Sequence, residues 1–393
     1  MKRLFGKSVL FLALILLAMV FSPAGTTADG VVLGVILPLS GTHAALGHMQ
    51  KNSMLMAVEE INARGGISGK KLALDIRDSG GQVRNARALV DHFVNDKGYP
   101  IVLGGFSSSV AAALADKCEQ KHIPVVVVTG SDDAITLQNY RYVFRVSPPR
   151  SRYPVAALDF ARSRFGRANI VLITERSIYG DAMARTVRQA SSAAGWTISG
   201  EWKFDSGSRN LEAIYSEALA AAPKVIFLSA FPPDGSKIIT ELKLMSPGSV
   251  IFNLTPASTT AGSYAQCGAS CEGVINPALW LPGAVQSAAR YREKYVARYD
   301  SEPDYHGAQA YAAVMVADQA IRKAGAAQAE SVRDALVGIT VSTPYGRVNF
   351  REWEGFVNQN DPPNYVLQWT GSAFEVVWPE QFRTAEPVLP KDH

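Results

Sequence analysis

The chain predicts an α/β protein built as two doubly wound parallel-sheet lobes joined by three crossover segments. Three observations carry this. From residue 31 onward short β-branched runs alternate with amphipathic stretches, which is how buried parallel strands and their crossover helices read. The alternation forms two series separated by a proline-rich break. And 393 residues exceed what one hydrophobic core serves.

The first 28 residues stand apart from this rhythm. Lys2, Arg3 and Lys7 precede the apolar run 8–21, and Thr26-Thr27-Ala28 completes a small-residue cleavage pattern. The run is too short and too weakly flanked for a membrane span, so it reads as a secretory signal peptide cut after Ala28. No cysteine stands at the cut to carry a lipid anchor. The first series then runs VVLGVILPLS (31–40), a helical 47–63, KLALDIRD (71–78), a helical 83–96, IVLGGF (101–106), an alanine-rich helix from about Ser109, and PVVVV (124–128). The break SPPR (147–150) follows. The second series runs NIVLITE (169–175), a helix near 181–194, TISGEWKF, KVIFLSA (224–230), a helix near 234–245 and VIFNLT (250–255). NPALWLPG (276–283) ends it. Two helical stretches, 285–299 and 304–323, precede the break STPYG (342–346) and two strand-like segments, YVLQWT and AFEVVW. With a crossing at each break, the expected lobes are 29–148 plus 279–340 and 149–278 plus 341–393. Such an arrangement makes a hinge and a cleft.

Charge and cysteines narrow the function. Loss of Lys2, Arg3 and Lys7 leaves 36 basic residues against 35 acidic ones, so no electrostatic footprint for nucleic acid remains. In an exported chain Cys267 and Cys271, in CGASC, can close a small disulfide loop, while Cys118 reads as a buried apolar residue. Nothing calls for a cofactor or a metal. GGISGKK (65–71) is one residue short of a phosphate-binding loop, with Lys71 where a hydroxyl should stand. There is no GxSxG, HExxH or GxGxxG, and the six histidines (43, 48, 92, 122, 306, 393) show no ligand spacing. An enzyme is not expected.

The stretch GGFSSS (104–109) sits between a strand and a helix start, where an open parallel sheet binds its ligands. Glycines allow close backbone approach, and a helix N-terminus with neutral hydroxyls suits an anion such as a carboxylate. One serine is expected to cap the helix. TGSDDAIT (129–136) lies beside it on the same rim. Ser131 can donate to the same anion, and Asp132 or Asp133 can accept from an ammonium or cap the next turn.

PLSGTHAALGHMQKNSMLMAVEEINARGGISGKKLAL (38–74), the serine turn, SIYGDAMAR (177–185), PDYHGAQAYAAV (303–314) and the YVLQW ending, in this order and spacing, resemble the type I periplasmic binding proteins that feed branched-chain amino acid transporters. The resemblance covers essentially the whole mature chain. It implies a Venus-flytrap fold, a periplasmic monomer, a small carboxylate-bearing ligand closed between two lobes, and an ABC permease in the inner membrane as partner. A ligand sensor reporting to a receptor is the other role this fold serves. Carried over by position, Ser108 and Ser109 match the carboxylate-binding serines, Ser131 and Asp133 the second binding loop, and Tyr179 the tyrosine of the opposite lobe. Phe231 matches a second rim aromatic lacking its hydroxyl. Leu46 stands where the first-lobe loop often carries an aromatic. The loop after VIFNLT, TPASTTAG, lacks the glutamate that amino-acid binders use for the ammonium. A buried ammonium needs a partner, so the ligand is either an amino acid held by Asp132 or Asp133, or an organic or aromatic acid without an amine.

Overall fold

The computed structural model describes residues 26–27, 30–259, 268–283, 285–371 and 373–390. The expected signal peptide, apart from Thr26 and Thr27, lies outside them, as does Cys267.

The first lobe carries β1 (Thr26–Thr27), β2 (Gly30–Leu37), β3 (Lys71–Asp78), β4 (Val102–Gly104), β5 (Val125–Val127) and β6 (Val143–Arg145), with helices α1 (Ala44–Ala63), α2 (Val83–Asp91), α3 (Ser108–Gln120) and α4 (Ala134–Leu137). β3, β2, β4, β5 and β6 pair in parallel in that order. β2 reads GVVLGVIL and is buried at every position but Val32, as a strand covered on both faces must be. The second lobe carries α5 (Val155–Phe165), β7 (Asn169–Glu175), α6 (Ile178–Ala194), β8 (Thr197–Phe204), α7 (Glu212–Ala220), β9 (Val225–Ser229), α8 (Asp234–Met245), β10 (Val250–Asn253) and β11 (Ile275–Ala278). β8, whose TISGEWKF alternates exposed and half-buried positions, forms its edge. β11 was not legible as a strand because Pro277 interrupts it; it carries only one parallel pair with β10.

After β11 the chain returns to the first lobe as α9 (Gln286–Tyr299), α10 (Tyr305–Ala324) and α11 (Ala329–Leu336). α10 is apolar nearly all round and buries most of its length, its Ala310, Ala313 and Ala317 sharing a core with Met54, Ala57 and Ile61 of α1. The STPYG break is not a crossing. It is the turn of a hairpin, β12 (Thr340–Thr343) and β13 (Gly346–Asn349), whose Val341, Tyr345 and Val348 pack into the first-lobe core. β14 (Arg351–Trp353) and β15 (Phe356–Gln359) then extend the first sheet through the pair Gln359–Arg145. The third passage therefore runs through residues 360–364, after which β16 (Tyr365–Trp369) and β17 (Phe374–Trp378) complete the second sheet. Pro362 and Pro363 mark it in the sequence as Pro148 and Pro149 mark the first passage.

The first and third passages are fastened together. Asn360 donates its backbone N–H to the Arg145 carbonyl at 3.1 Å and its side-chain amide to that of Val146 at 2.9 Å. The Asn364 amide reaches the Arg152 carbonyl at 2.7 Å, and Arg152 pairs with Asp361 at 3.4 Å.

Candidate functional site between the lobes

The serine turn leaves β4 through Gly105, whose φ of +79° lies in the left-handed region that glycine tolerates. Ser107 is the helix cap, accepting from the Val110 amide at 3.4 Å, so α3 starts one residue earlier than expected. Ser109 is exposed, with its hydroxyl 3.3 Å from that of Ser107. Ser108 is different. Its Oγ accepts the Asp132 amide at 3.2 Å and a guanidinium N–H of Arg150 at 3.3 Å. A hydroxyl has two lone pairs and one proton. With both lone pairs occupied, what Ser108 has left to offer is its proton.

The second loop is anchored beside it. Gly130 donates to the Gly105 carbonyl at 2.8 Å, joining the two loops through their backbones, and the Ser131 carbonyl accepts the Arg150 amide at 2.7 Å. Asp132 Oδ1 caps Ala134 at 3.0 Å, and its Oδ2 accepts from Arg150 at 3.3 Å. Asp133 Oδ1 accepts the Ser151 amide at 3.1 Å. Both aspartates thus hold the loop to the first passage. Beneath them Arg145 is fully buried and donates to Gln359 Oε1 at 2.6 Å, Thr136 Oγ1 at 2.7 Å and the Asp132 carbonyl at 2.5 Å. Burial pushes its guanidinium down to about 10, with Asp133 pulling the other way.

Tyr179 enters from the second lobe at the start of α6. Its hydroxyl donates to the Leu254 carbonyl at 2.9 Å, and its ring lies 5.1 Å from that of Phe231, which is 38% exposed. Burial raises the phenols of Tyr179 and Tyr153, the Ser131 hydroxyl opposing it at Tyr153. On the first-lobe side Phe106 has its ring 5.0 Å from His43 and 5.4 Å from His306, and Tyr305 stacks on His306 at 4.0 Å. Asp304 orders this corner: it caps α10 by accepting the His306 amide at 2.8 Å and sits 3.0 Å from the same residue's ring nitrogen. Burial alone would raise its carboxyl, but His306 and the amides hold it below the usual range.

Beyond Tyr305 and His306 opens a cavity of about 1050 Å³, lined by Leu46 and Met49 of the first lobe, Leu279 and Leu281 of the second passage, and Pro232 and Leu367 of the second lobe. Leu46 therefore serves this apolar chamber. Ser108 and Ser131 meet through Arg150, and Tyr179 meets Phe231, whereas Ser109 joins neither group and Asp133 is committed to Ser151. Sequence reasoning missed Arg150, Tyr153, Phe106 and the Tyr305–His306 pair. Arg150 was visible as the basic residue directly after Pro148-Pro149, and Phe106 stood inside the serine motif itself.

The chain is similar over its length to proteins of known kind. It is 25% identical over 336 residues, 84% of this chain and 88% of the other, to the leucine-, isoleucine-, valine-, threonine- and alanine-binding protein of Pseudomonas aeruginosa. Its fold matches the branched-chain amino acid transporter substrate-binding protein of Streptococcus pneumoniae, solved with isoleucine, at a TM-score of 0.75 and 20% identity, covering 89% of this chain and all (100%) of that one. It also matches an ABC transporter solute-binding protein of R. palustris, solved with benzoate, at a TM-score of 0.72 and 17% identity, covering 92% and 98%. The sequence profile of the periplasmic binding protein family spans residues 30–373, so this two-lobed chain with its interlobe cleft belongs to that family.

Proposed function

We propose that the protein captures a small carboxylic acid without an amine, an aromatic or other apolar acid, between its lobes and hands it to an ABC permease of the inner membrane. The Ser108 hydroxyl carries this reading: with both lone pairs filled by donors, it offers its proton to a ligand acceptor. Ser131 stands beside it, and Tyr179 and Phe231 close over the other end while the apolar body extends toward Leu46. In this reading residues 1–28 are an export signal, the mature chain works in the periplasm, and it acts as a monomer.

The engagement of the nearby acids supports a ligand without an amine. Asp132 and Asp133 are engaged with the first passage, Asp304 with His306, and Glu302 with Arg292. The chamber's apolar lining suits a ring or alkyl body, and the R. palustris relative holds benzoate. One observation favours an amine instead. Glu175, at the end of β7 and hydrogen-bonded by Phe231 and Ser177, is pushed up by burial and by Asp234, and a ligand ammonium would relieve it.

The test is a thermal-shift panel on refolded mature protein, setting natural amino acids against benzoate, 3-phenylpropionate and short alkanoates. A ligand at a hundred times its Kd adds about 2.7 kcal/mol. Shifts from amine-free acids, weakened by Ser108→Ala by about 1–3 kcal/mol, support the reading. Shifts from leucine or isoleucine that Glu175→Gln abolishes replace it with the amino acid reading.

A further inference from the structure

Arg150 is the first residue beyond the prolines of the first passage, and its surroundings set it apart from its basic neighbours. Arg145 spends its guanidinium on Gln359, Thr136 and the loop carbonyls. Arg152 pairs with Asp361 at 3.4 Å and lies over the Trp353 ring at 5.0 Å. Arg150, only 13% exposed, donates from Nη2 to Ser108 Oγ and Asp132 Oδ2, each at 3.3 Å. A guanidinium has five N–H donors, so its Nε and Nη1 groups keep theirs without a partner among the described residues. Its charge acts on the phenols of Tyr153 and, from the opposite lobe, Tyr179. With Asp132 and Asp133 it also lines a gap of about 300 Å³ faced by Ile178, Ala182, Arg185 and Thr186 of α6. A cation with spare donors therefore stands between the lobes, within hydrogen-bond distance of the hydroxyl that has a proton to give.

We propose that Arg150 is the charged half of the ligand site: it receives the carboxylate beside Ser108 and selects the acid over neutral ligands of the same shape. This rests on the carboxylate reading above. The Nε and Nη1 groups left over offer a carboxylate charge-assisted donors in directions fixed by the guanidinium plane, which a flexible lysine ammonium does not reproduce. Arg150 also belongs to the hinge, since its amide is bonded to the Ser131 carbonyl and the next residue's amide to Asp133. A ligand that pulls on this guanidinium pulls on the segment about which the lobes turn.

The experiment compares wild type, Arg150→Gln and Arg150→Lys by calorimetric titration with benzoate, 3-phenylpropionate and leucine, and with benzamide, 3-phenylpropionamide and leucinamide. Wild type is expected to prefer at least one acid over its amide by tenfold or more. Arg150→Gln is expected to weaken that acid by about tenfold to a hundredfold while the amide changes less than about threefold, and Arg150→Lys to fall between. Acid affinity unchanged in Arg150→Gln overturns the proposal. So does an equal loss for acid and amide in both variants, which marks a merely structural arginine. If none of the acids binds wild type, the carboxylate reading itself falls, a result distinct from either.

Discussion

The contact between the two binding loops supports a test that needs no ligand. Gly130 of the second loop packs against Ala111 of α3. A methyl group added at residue 130 would lie 2.3 Å from the Ala111 Cβ, 3.3 Å from the Gly105 carbonyl oxygen and 3.4 Å from Ile135 Cδ1. Carbon atoms at contact sit about 3.5–4.0 Å apart, so Gly130→Ala must push the loops apart by about 1.2 Å or more. Ala111 is fully buried in α3 and cannot step aside without carrying Ser108 with it. The Gly130–Gly105 bond at 2.8 Å and the Asp132–Ser108 bond at 3.2 Å span this seam, and the same displacement strains both. Overpacking of this kind costs about 1–3 kcal/mol, and one weakened hydrogen bond adds about 1. Gly130→Ala is therefore expected to lose about 2–4 kcal/mol in urea unfolding. Ala111→Gly alone should lose about 1–2 kcal/mol, the helix propensity difference plus the lost burial of its methyl. The double variant removes the clashing methyl and should unfold close to Ala111→Gly, which makes the pair strongly non-additive. Additive losses, or a Gly130→Ala protein as stable as wild type, would show that the seam is not rigid and refute the reasoning.

Two further predictions concern the aromatic walls. Asp304→Ala removes the cap of α10 and should lower stability at pH 7 by about 1–2 kcal/mol. Because the folded protein holds the Asp304 carboxyl below its ordinary 3.8, its contribution is complete above that value and disappears as pH falls through the lower folded one. The gap between wild type and Asp304→Ala in urea should then close below about pH 4, and a gap that stays constant down to pH 2.5 would contradict this. Phe231 is partly exposed, so Phe231→Ala should leave stability within about 0.5 kcal/mol. It should cost about tenfold in affinity for whichever acid the panel identifies; unchanged affinity removes Phe231 from the closing lobe's contact.

How far the sequence spoke depended on how local each signal was. The central strands announce themselves as apolar runs because both faces are covered, and β7 begins and ends where its pattern does, as do the half-exposed β3 and β8. β6, β14 and β15 were not legible. They are three or four residues long, and β15 joins β6 through one pair, Gln359 with Arg145, whose residues lie more than two hundred positions apart in sequence. For the same reason the STPYG turn passed for a crossing: a proline break looks alike whether the chain changes lobe or folds back as a hairpin, and only the burial of Val341, Tyr345 and Val348 separates the two.

The site divides along the same line. Ser108 could be picked out because a helix start after two glycines is a local event. Its role could not, because that depends on which donors other loops bring to its lone pairs, and those are Asp132 and Arg150. The aspartates show the converse. A carboxylate in a rim loop reads as a free acceptor, whereas here the backbone amides of Ala134 and Ser151 each bond to one oxygen, of Asp132 and Asp133 respectively. What a sequence of this family declares is therefore which loops form the rim of the cleft. Which groups a site has left to offer is decided by satisfied and unsatisfied partners in three dimensions, and the proposal of an amine-free acid rests on that balance: a Ser108 hydroxyl proton beside the spare N–H donors of an Arg150 that already pairs with Asp132.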